Sequence, residues 1–516
     1  MDVLARRVAA TPDRTALVDA RDSRRWSYRH LDALVDRAAE RLRERAPAVG
    51  RVGTLFTPGP AFVATFHAAQ RLGSTVVGLD TRLGGADLSA HVRRAGVDCL
   101  VSGPQTTVPG SVETPVVVVP EPPAGDDIPG ETNQTANSGQ PVERNIAGGT
   151  DQTVNSGQPV EGVAGPGPDD PAETAVVLFT SGTTGRPKGV RLTAGNLHAS
   201  AVASAFRLGV SPGDRWLCCL PVNHVGGLAP VLRTAMYGTT LVVQRGFDAE
   251  RTGGALAAHG VTGVSLVPTQ LRRLLDVGAP LSELSAVLVG GAPTPERLLD
   301  RALAADVPVH PTYGLTETAS QVATARPAGA RDHPASVGQP LYGVRVTVVA
   351  DGSPVETGER GEIVVAGPTV TPGYLDSETT GAAIGEWGLH TGDVGVRDGA
   401  GRLRVLGRRD EMVLTGGELV APREVVETLR SHPAVADAAV VGLPDEEWGE
   451  RVAALVVPEN GDEDDGTLDV GTVRAHCRDS LPGYKRPKTV ALVDTLPRTV
   501  SGTVDREAVR ARLRSA

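Results

Sequence analysis

Short apolar runs that alternate with stretches of helical periodicity constrain the fold of this chain more than any other feature. The runs Val52–Phe56, Thr75–Leu79 and Cys99–Val101 each have the length of a buried strand. Between such runs, segments like Tyr28–Arg45 repeat apolar residues at the spacing of an amphipathic helix. Apolar strands between helices are typical of parallel sheets that are covered on both faces. We therefore predict an α/β fold.

The chain is long enough for more than one domain. It has 516 residues, and single hydrophobic cores stop growing at about 250–300 residues. The α/β rhythm continues to about Gly407, and the block after it has strand-like runs of its own. We predict a large N-terminal unit of several subdomains over residues 1–407 and a small C-terminal α/β domain over residues 408–516. The joint between them lies near Arg408–Glu411.

Residues 120–170 interrupt the rhythm. The segment is rich in Gly, Pro, Asn, Gln, Thr and Asp, and it contains two near-copies, Asn133–Glu143 and Asp151–Glu161. A duplication this short cannot bury a core, and its composition favours a flexible surface insertion. A peptide-binding role is the alternative interpretation.

Charge and composition exclude several classes of protein. The formal net charge is -10, so the bulk basic footprint of a nucleic-acid-binding protein is missing. No apolar stretch reaches the roughly 20 residues of a membrane span, and the N-terminus lacks the apolar core of a signal peptide. The 4 cysteines have no metal-binding spacing. We expect a cytoplasmic protein that binds no nucleic acid. A homodimer is an open alternative, because nothing in the sequence identifies an interface.

A run of small hydroxyl residues and glycines follows the strand-like segment Val176–Phe179. It reads Thr180-Ser181-Gly182-Thr183-Thr184-Gly185-Arg186-Pro187-Lys188-Gly189. Backbone N–H and hydroxyl groups in such a loop can wrap a polyphosphate, and Lys188 can place a point charge on the outer phosphates. The loop is not a Walker A motif, because G-x-x-x-x-G-K-[ST] is absent. A Ser/Thr/Gly-rich turn without a ligand is the plainer interpretation.

Here the chain resembles the adenylate-forming superfamily of acyl-CoA synthetases, peptide-synthetase adenylation domains and luciferases. Motifs similar to those of the superfamily recur in order at Tyr313–Thr318, His390–Asp393, Leu406–Glu411, Gly416–Glu418 and Pro422–Glu427. The resemblance covers nearly the whole chain outside the insertion. It implies an AMP-forming acid–thiol ligase that uses ATP, Mg²⁺ and the co-substrate CoA. It also implies that residues 1–407 form the adenylate-forming, AMP-binding domain and that the C-terminal domain is mobile about a hinge near Asp410.

The resemblance also implies roles for individual residues. It makes Lys188, Thr316, Glu317 and His224 the catalytic residues, with Glu317 as the magnesium ligand. Carboxylate oxygen is a hard ligand that suits Mg²⁺. Nucleotide and CoA contacts are expected from Thr180, Ser181, Gly182, Thr183, Thr184, Gly291, Ala292, Tyr313, Asp393, Arg408, Gly416 and Gly417. Each of these residues alone could also be an ordinary turn or surface residue.

The segment around His224 bears on the acid substrate. It lies where the acyl-CoA synthetases carry an aromatic–His pair, although Asn223 replaces the aromatic residue. Amino-acid-activating relatives have an aspartate here, and its absence argues against an amino acid. Further signals are the segments His224–Gly238, Val267–Leu271, Gly290–Pro293 and Thr316–Gln321. With them the chain most resembles, within the superfamily, the 2-succinylbenzoate–CoA ligases of menaquinone synthesis. Arg233 could pair with the second carboxylate of that substrate, and Thr269 is a weaker pocket candidate. A surface arginine on a helix is the alternative for Arg233.

One position departs from the superfamily's pattern. Where relatives have a lysine that touches the carboxylate and the α-phosphate, this chain has Thr503. Losing one such contact can slow a charged step by about a hundredfold to a thousandfold. Another cation (Arg498, Lys485 or Lys488) could supply the charge, or adenylation could be slower but adequate. The remaining alternatives are a ligase for another aryl or medium-chain acid and an adenylation-impaired nucleotide- or acyl-binding protein.

Overall fold

The computed structural model describes residues 2–45, 50–123, 173–180, 187–459, 468–498 and 504–515. Within these ranges the chain forms four sheets with helices packed against them, so the α/β prediction is confirmed. Most of the predicted insertion, Ser181–Arg186 of the phosphate loop, and Thr503 lie outside the described residues.

The strands are numbered in chain order. They are β1 (Thr15–Asp19), β2 (Arg25–Ser27), β3 (Arg51–Leu55), β4 (Thr75–Gly78), β5 (Cys99–Ser102), β6 (Val116–Val118), β7 (Thr174–Thr180), β8 (Lys188–Thr193), β9 (Arg215–Cys218), β10 (Thr240–Val243), β11 (Gly263–Leu266), β12 (Ala286–Val289), β13 (Val309–Leu315), β14 (Ser320–Thr324), β15 (Gln339–Pro340), β16 (Arg345–Ala350), β17 (Ser353–Pro354), β18 (Arg360–Ala366), β19 (Gly373–Tyr374), β20 (Ile384–Gly385), β21 (Gly388–Arg397), β22 (Leu403–Arg408), β23 (Val413–Thr415), β24 (Glu418–Val420), β25 (Val435–Asp445), β26 (Gly449–Pro458) and β27 (Thr489–Leu492).

The α-helices are numbered in the same way. They are α1 (Val3–Ala10), α2 (Tyr28–Arg45), α3 (Pro60–Arg71), α4 (Gly85–Ala95), α5 (Ala194–Leu208), α6 (Val225–Tyr237), α7 (Ala249–Ala258), α8 (Pro268–Asp276), α9 (Glu296–Ala304), α10 (Pro327–Asp332), α11 (Ser377–Ala383), α12 (Pro422–Ser431), α13 (Val470–Ser480) and α14 (Arg506–Arg514). Among the described helices, none has the length and apolar character needed to cross a bilayer.

Two sheets with parallel centres form the body of the N-terminal part. The first has the order β19-β8-β7-β4-β3-β5-β6, and the second has the order β15-β14-β13-β12-β11-β9-β10-β1-β2. Helix α2 spans the residues predicted for it and buries Leu31, Leu34, Val35 and Leu42. Its apolar stripe packs into a core shared with α3 and the first sheet. The carboxyl ends of the parallel strands are the usual place for a ligand in such folds.

The α/β rhythm does not continue to Gly407 as predicted. From β16 onwards the chain forms a third sheet, with the order β17-β16-β18-β21-β20 and with β22 paired to β21, and all of its pairs are antiparallel. Apolar runs in this region look like those of parallel strands. Consecutive residues such as Ile363, Val364 and Val365, whose side chains point alternately to the two faces of the sheet, are all fully buried. Burial on both faces removes the alternation that would have distinguished the two kinds of sheet.

The C-terminal part has its own sheet and core. The order is β24-β23-β26-β25, with β27 paired to β26. Two apolar clusters there consist only of residues after 412. Strand β22 ends at Arg408 in the third sheet, and the next strand, β23, belongs to the fourth. A 3-10 turn, Arg409–Glu411, lies between them. The small C-terminal unit is thereby confirmed, while the hinge at Asp410 stays a prediction.

Candidate active site

The phosphate loop connects two neighbouring strands of the first sheet. Thr180 ends β7 and Lys188 begins β8, and the two residues face each other across the antiparallel pair. Strand β19 lies on the other side of β8, with Tyr374 opposite Val190. Tyr374 is therefore a diagonal neighbour of Lys188 on the sheet surface. The sheet register fixes the lysine and the tyrosine beside the loop.

Lys188, Tyr374 and Glu317 form the first cluster of the site. The Lys188 Nζ lies 5.6 Å from the centre of the Tyr374 ring, within cation–π range. The Tyr374 hydroxyl donates to Glu317 Oε1 at 3.0 Å. Burial, and then the neighbouring Glu317 carboxylate, raise the pKa of Tyr374, so the hydroxyl stays protonated and serves as a donor. The sequence analysis missed Tyr374, which lies 57 residues from its partner.

Glu317 is held in a 3-10 turn, Thr316–Thr318, between β13 and β14. Gly314 makes this turn possible, because a Cβ on it would lie 1.7 Å from the Ser320 carbonyl oxygen. The Glu317 carbonyl also accepts from the Thr371 N–H at 2.7 Å. Thr316 and Glu317 are both half-buried. The turn thus presents a hydroxyl and a carboxylate next to the start of β8.

Tyr313, Asp393 and Arg408 form the second cluster. The Tyr313 hydroxyl donates to Asp393 Oδ2 at 2.6 Å, and Arg408 Nη1 donates to Asp393 Oδ1 at 3.2 Å. Asp393 and Arg408 face each other across the β21–β22 pair. Burial raises the pKa of Asp393, and Tyr313 and Arg408 offset part of this effect. Burial, followed by the charge of Asp393, also raises the pKa of Tyr313.

The two clusters adjoin each other. Tyr313 lies on β13, and Glu317 lies on the turn that directly follows β13. This segment links the nucleotide candidates of the third sheet to those of the first. Gly291 and Ala292 are exposed just after β12, and β12 is the parallel neighbour of β13. Five predicted residues from four separate motifs, namely Lys188, Tyr313, Glu317, Asp393 and Arg408, are therefore brought into one region.

His224 lies at the end of the first sheet where β7 leads into the phosphate loop. It precedes α6, and its neighbour Asn223 packs so closely on β4 that a Cβ at Gly78 would lie 3.2 Å from the Asn223 Cα. The imidazole is exposed, yet enough protein surrounds it that desolvation lowers its pKa, against the opposing charge of Asp80. A lowered pKa keeps the ring neutral near pH 7.

Arg233 is a buried cation that has no charged partner among the residues that the structure describes. Only 8% of the residue is exposed, so it is not a surface arginine. Its Nη2 donates to Ser200 Oγ at 3.0 Å, and that hydroxyl donates to the Ala319 carbonyl at 2.6 Å. Burial lowers the pKa of Arg233, and among the described residues the only group that raises it is Tyr237. A buried charge with no counter-charge costs several kcal/mol, so this position suits an anionic ligand group.

Ser200, which the sequence analysis missed, connects Arg233 to the turn that carries Glu317, because Ala319 follows that turn directly. Thr269, the second pocket candidate, is exposed in the first turn of α8. Within the described ranges, no hydrogen bond joins Thr269 to Arg233.

The predicted CoA and hinge residues lie in the C-terminal part. Gly416 and Gly417 form the tight turn between β23 and β24 with φ values of 58° and 82°. The Gly416 N–H donates to the Trp448 carbonyl at 2.9 Å. Lys488 Nζ lies 4.0 Å above the exposed Trp448 ring. Asp410 is 3.7 Å from Arg408 Nε.

The cations that could replace the lysine missing at position 503 are engaged elsewhere. Lys485 pairs with Glu424 at 2.6 Å, and Arg498 pairs with Asp437 at 2.7 Å. Lys488 lies over Trp448. In this arrangement each of the three interacts with another residue of the C-terminal part.

The donor set suits a magnesium–nucleotide complex. A half-buried carboxylate at Glu317 offers the oxygen ligand that Mg²⁺ prefers, and Lys188 offers a point charge for phosphate. The Asp393 oxygens have further lone pairs available for the hydroxyls of a sugar.

Comparison with known proteins agrees with this geometry. The AMP-binding enzyme family matches residues 4–375, and the AMP-binding enzyme C-terminal domain matches residues 424–503. The chain is 34% identical to the 2-succinylbenzoate–CoA ligase of Bacillus cereus over 512 residues, which cover 98% of this chain and 97% of that protein.

Solved structures give the same result. The o-succinylbenzoate CoA synthetase (MenE) from Bacillus subtilis in complex with the acyl-adenylate intermediate OSB-AMP matches with a TM-score of 0.82 and 30% identity, covering 99% of this chain and 98% of that chain. The same synthetase in complex with ATP and a magnesium ion matches with a TM-score of 0.81 and 30% identity, covering 99% of each chain.

Proposed function

We propose that this chain, which belongs to the AMP-binding enzyme family, is an ATP-dependent acid:CoA ligase that works through an acyl-adenylate. The observation that carries the proposal is the convergence of Lys188, Glu317, Tyr313, Asp393 and Arg408 on one region beside the phosphate loop. Each residue alone has an ordinary structural explanation. Together they offer groups for every part of a nucleotide: phosphate, metal, ribose and base.

In the first half-reaction an oxygen of the substrate carboxylate attacks the α-phosphorus of ATP. The bond from that phosphorus to the bridging oxygen breaks, and pyrophosphate leaves. Lys188 stabilises negative charge on the phosphates, and Glu317 holds the magnesium ion that ATP carries. Tyr374 orients the Glu317 carboxylate through its hydroxyl. Asp393 and Arg408 bind the ribose, and Gly291, Ala292 and Tyr313 line the base.

In the second half-reaction the thiolate of CoA attacks the acyl carbon, and the bond from that carbon to AMP breaks. We propose that the C-terminal part rotates about Asp410 between the two steps. The rotation brings the turn Gly416–Gly417 to the site, where a side-chain-free backbone leaves room for the pantetheine arm. The short 3-10 turn Arg409–Glu411, followed by Met412, connects β22 of the third sheet to β23 of the fourth, which suits a hinge.

The substrate that we propose is 2-succinylbenzoate, and its CoA thioester belongs to menaquinone synthesis. This acid has a second carboxylate, and Arg233 is a buried cation that, among the described residues, hydrogen-bonds only to the neutral hydroxyl of Ser200. The relative from Bacillus cereus is a ligase for the same acid. His224 lies near the reacting carboxylate, and Thr269 lines the outer pocket. A cytoplasmic location, where ATP and CoA occur together, is part of this proposal.

A panel of acids tests the proposal. The enzyme is mixed with ATP, Mg²⁺, CoA and one acid at a time, namely 2-succinylbenzoate, benzoate, succinate or decanoate, and AMP and thioester are measured. Turnover should be fastest with 2-succinylbenzoate. Turnover with decanoate but not with 2-succinylbenzoate would reject the substrate, and no AMP with any acid would reject the ligase.

A second candidate function follows from Thr503. Without the superfamily's lysine the protein could bind ATP and the acid yet adenylate poorly. Calorimetric titration with MgATP separates this case: tight binding without pyrophosphate release would favour it over the ligase.

A further inference from the structure

Glu362 lies at the centre of a small polar network that the nucleotide site does not include. It is on β18, where it faces Val394 of β21, and only 12% of its side chain is exposed. The sequence analysis did not single it out, because an acidic residue in an apolar strand carries no signal of its own. A carboxylate this buried requires partners that offset its desolvation.

One of its partners belongs to the turn Thr391–Asp393, a bulge within β21 at the register shift between β18 and β21, and a second partner, His390, directly precedes that turn. The Gly392 N–H donates to Glu362 Oε1 at 3.0 Å, and His390 Nδ1 lies 3.0 Å from Oε2. Gly392 has a φ of 71°, and its N–H points away from the ladder between β21 and its neighbours. Glu362 supplies the acceptor that this N–H would otherwise lack, and an unpaired N–H in a buried turn is unfavourable.

The third partner belongs to the joint. Arg409 Nη1 lies 3.3 Å from Glu362 Oε2, and Arg409 begins the 3-10 turn that contains Asp410. Oε1 of Glu362 therefore accepts from the turn, while Oε2 faces both His390 and Arg409 of the joint. Arg408, next to Arg409, donates to Asp393 and to the Thr391 carbonyl. The joint is therefore connected to the turn in two ways, directly through Arg408 and through the pair of Arg409 with Glu362.

We propose that Glu362 is a positioning residue for ATP binding that fixes the turn Thr391–Asp393 and holds the joint in its present orientation through Arg409. This inference rests on the proposed nucleotide site. Glu362 does not touch the nucleotide; it acts through Asp393. The length and the charge of the Glu362 side chain have separate effects. The length of the side chain determines whether Oε1 meets the Gly392 N–H, and the charge determines the attraction of Arg409.

Two conservative variants separate these contributions. Glu362→Asp keeps the charge but is one methylene shorter, so its carboxylate no longer reaches the Gly392 N–H. Glu362→Gln keeps the length and an acceptor oxygen but loses the charge. We measure the Kd for MgATP by calorimetry without any acid, and compare it with Glu356→Asp, a matched change at an exposed glutamate in the loop before β18.

The expected result is a Kd about tenfold higher for Glu362→Asp and within about twofold of the unmodified protein for Glu362→Gln, since losing one buried hydrogen bond is worth about a factor of ten. A role in stability alone would lower the melting temperature of both variants without this order of Kd values. An unchanged Kd for Glu362→Asp, or a larger increase for Glu362→Gln, would overturn the inference. If the unmodified protein binds no MgATP, the proposed function fails instead.

The Arg409 contact has its own readout. Glu362→Gln and Arg409→Gln should change the rate of thioester formation from preformed adenylate by a similar factor, and the double variant should add little, because both remove the same ion pair. Additive effects would show that Glu362 does not act on the joint through Arg409.

Discussion

Arg233 is the residue at which sequence and structure together say most about the substrate. Its position on α6 was compatible with an ordinary surface arginine, and only the folded chain shows that α5 and the turn after Glu317 enclose it. A charge in such a place is held at a cost to stability. That cost is offset when an anion binds, which ties the affinity for a second carboxylate to this one side chain.

The first prediction concerns Arg233→Met, which keeps most of the volume and removes the charge. The melting temperature should stay the same or rise, because an uncompensated buried charge disappears. The KM for 2-succinylbenzoate should rise about thirtyfold or more, as truncated buried charge pairs typically cost 2–5 kcal/mol, while the KM for benzoate changes little. Arg272→Met on the exposed face of α8 is the control. Equal KM increases for both acids would contradict the role.

The second prediction concerns pH and Asp393. Burial raises the pKa of this carboxyl above its ordinary value of 3.8. Folded protein therefore binds a proton at pH values where the unfolded chain has lost it. This contribution to stability is present below the unfolded pKa and is lost as pH rises through the folded pKa. Binding of ATP has the opposite dependence, since the ionised carboxylate accepts hydrogen bonds from the ribose hydroxyls more strongly than the protonated carboxyl group does.

On acidification the Kd for MgATP should therefore rise at a higher pH than an ordinary aspartate would cause. Asp393→Asn should bind more weakly at neutral pH and lose this part of the pH dependence. Calorimetric titrations of both proteins over a pH series test this, with the variant correcting for protonation of ATP itself. Parallel curves for the two proteins would refute it.

At the scale of single residues, the sequence predicted those whose motif is contiguous and missed those whose role depends on distant pairing. Glu317 and Asp393 stand in recognisable local patterns. Tyr374 and Glu362 do not stand in such patterns. Tyr374 reaches the site because β19 pairs with β8. Glu362 reaches the turn that carries Asp393 because β18 pairs with β21. Residues 181–186 of the phosphate loop and Thr503 lie outside the described ranges, and their roles stay predictions.

At the scale of elements, the register of two strand pairs determines where most of the candidate site residues lie. Antiparallel pairing sets Thr180 opposite Lys188 and Asp393 opposite Arg408. The apolar runs Val176–Phe179 and Ala286–Val289 predicted the strands β7 and β12 to within a few residues. Register itself could not be predicted, because it depends on which strands become neighbours. For the same reason the antiparallel third sheet was not anticipated.

The third prediction concerns the joint. Proline fixes φ near −65° and restricts the residue before it, so Asp410→Pro should prevent a rotation of the backbone at this point. Pyrophosphate release with acid and ATP should persist, while thioester formation should fall at least about a hundredfold. Asp410→Ala, which loses only the contact with Arg408, should retain both. Stopped-flow or quenched-flow measurement of each half-reaction provides the readout, and full thioester activity in Asp410→Pro would exclude this hinge.

The fourth prediction concerns the turn between β23 and β24. Both glycines have positive φ, so alanine at either position is strained by about 1–2 kcal/mol. At Gly416 a Cβ would also lie 2.5 Å from the Trp448 ring, whereas nothing lies within 4 Å of a Cβ at Gly417. Gly416→Ala should therefore lower the denaturation midpoint of the C-terminal part more than Gly417→Ala. Equal midpoints in urea titrations would contradict the packing of Trp448 on this turn.

At the scale of the whole molecule, two units with separate cores meet at a boundary where a small apolar cluster, Val394, Leu406 and Ala421, is accompanied by polar contacts. Glu424 of α12 pairs with Lys485 of its own unit and with Arg360 of β18. Arg423 donates to the Val405 carbonyl. Contacts of this kind are screened and exchangeable, which suits a boundary that is remade when one unit rotates. The length of the chain and the rhythm of its apolar runs predicted the two units. The boundary between them could not be predicted, because contacts between two surfaces leave no local pattern in the sequence.

The fifth prediction concerns the missing charge at position 503. Because Lys485, Lys488 and Arg498 already interact with other residues of the C-terminal part, we expect none of them to supply it fully. Thr503→Lys should speed pyrophosphate release by about tenfold or more, given the size of such contacts in charged transition states, and leave the thioester step unchanged. Thr503→Val is the control of equal size. No gain with lysine would show that another group already stabilises this charge.

Acid-dependent exchange of labelled pyrophosphate into ATP tests the central claim most directly, because it reports the reversible formation of an acyl-adenylate before CoA is involved. With MgATP and 2-succinylbenzoate, and without CoA, label should enter ATP, and adding CoA should release AMP and the thioester in equal amounts. No exchange with 2-succinylbenzoate while MgATP still binds, or products other than AMP and pyrophosphate, would contradict the account.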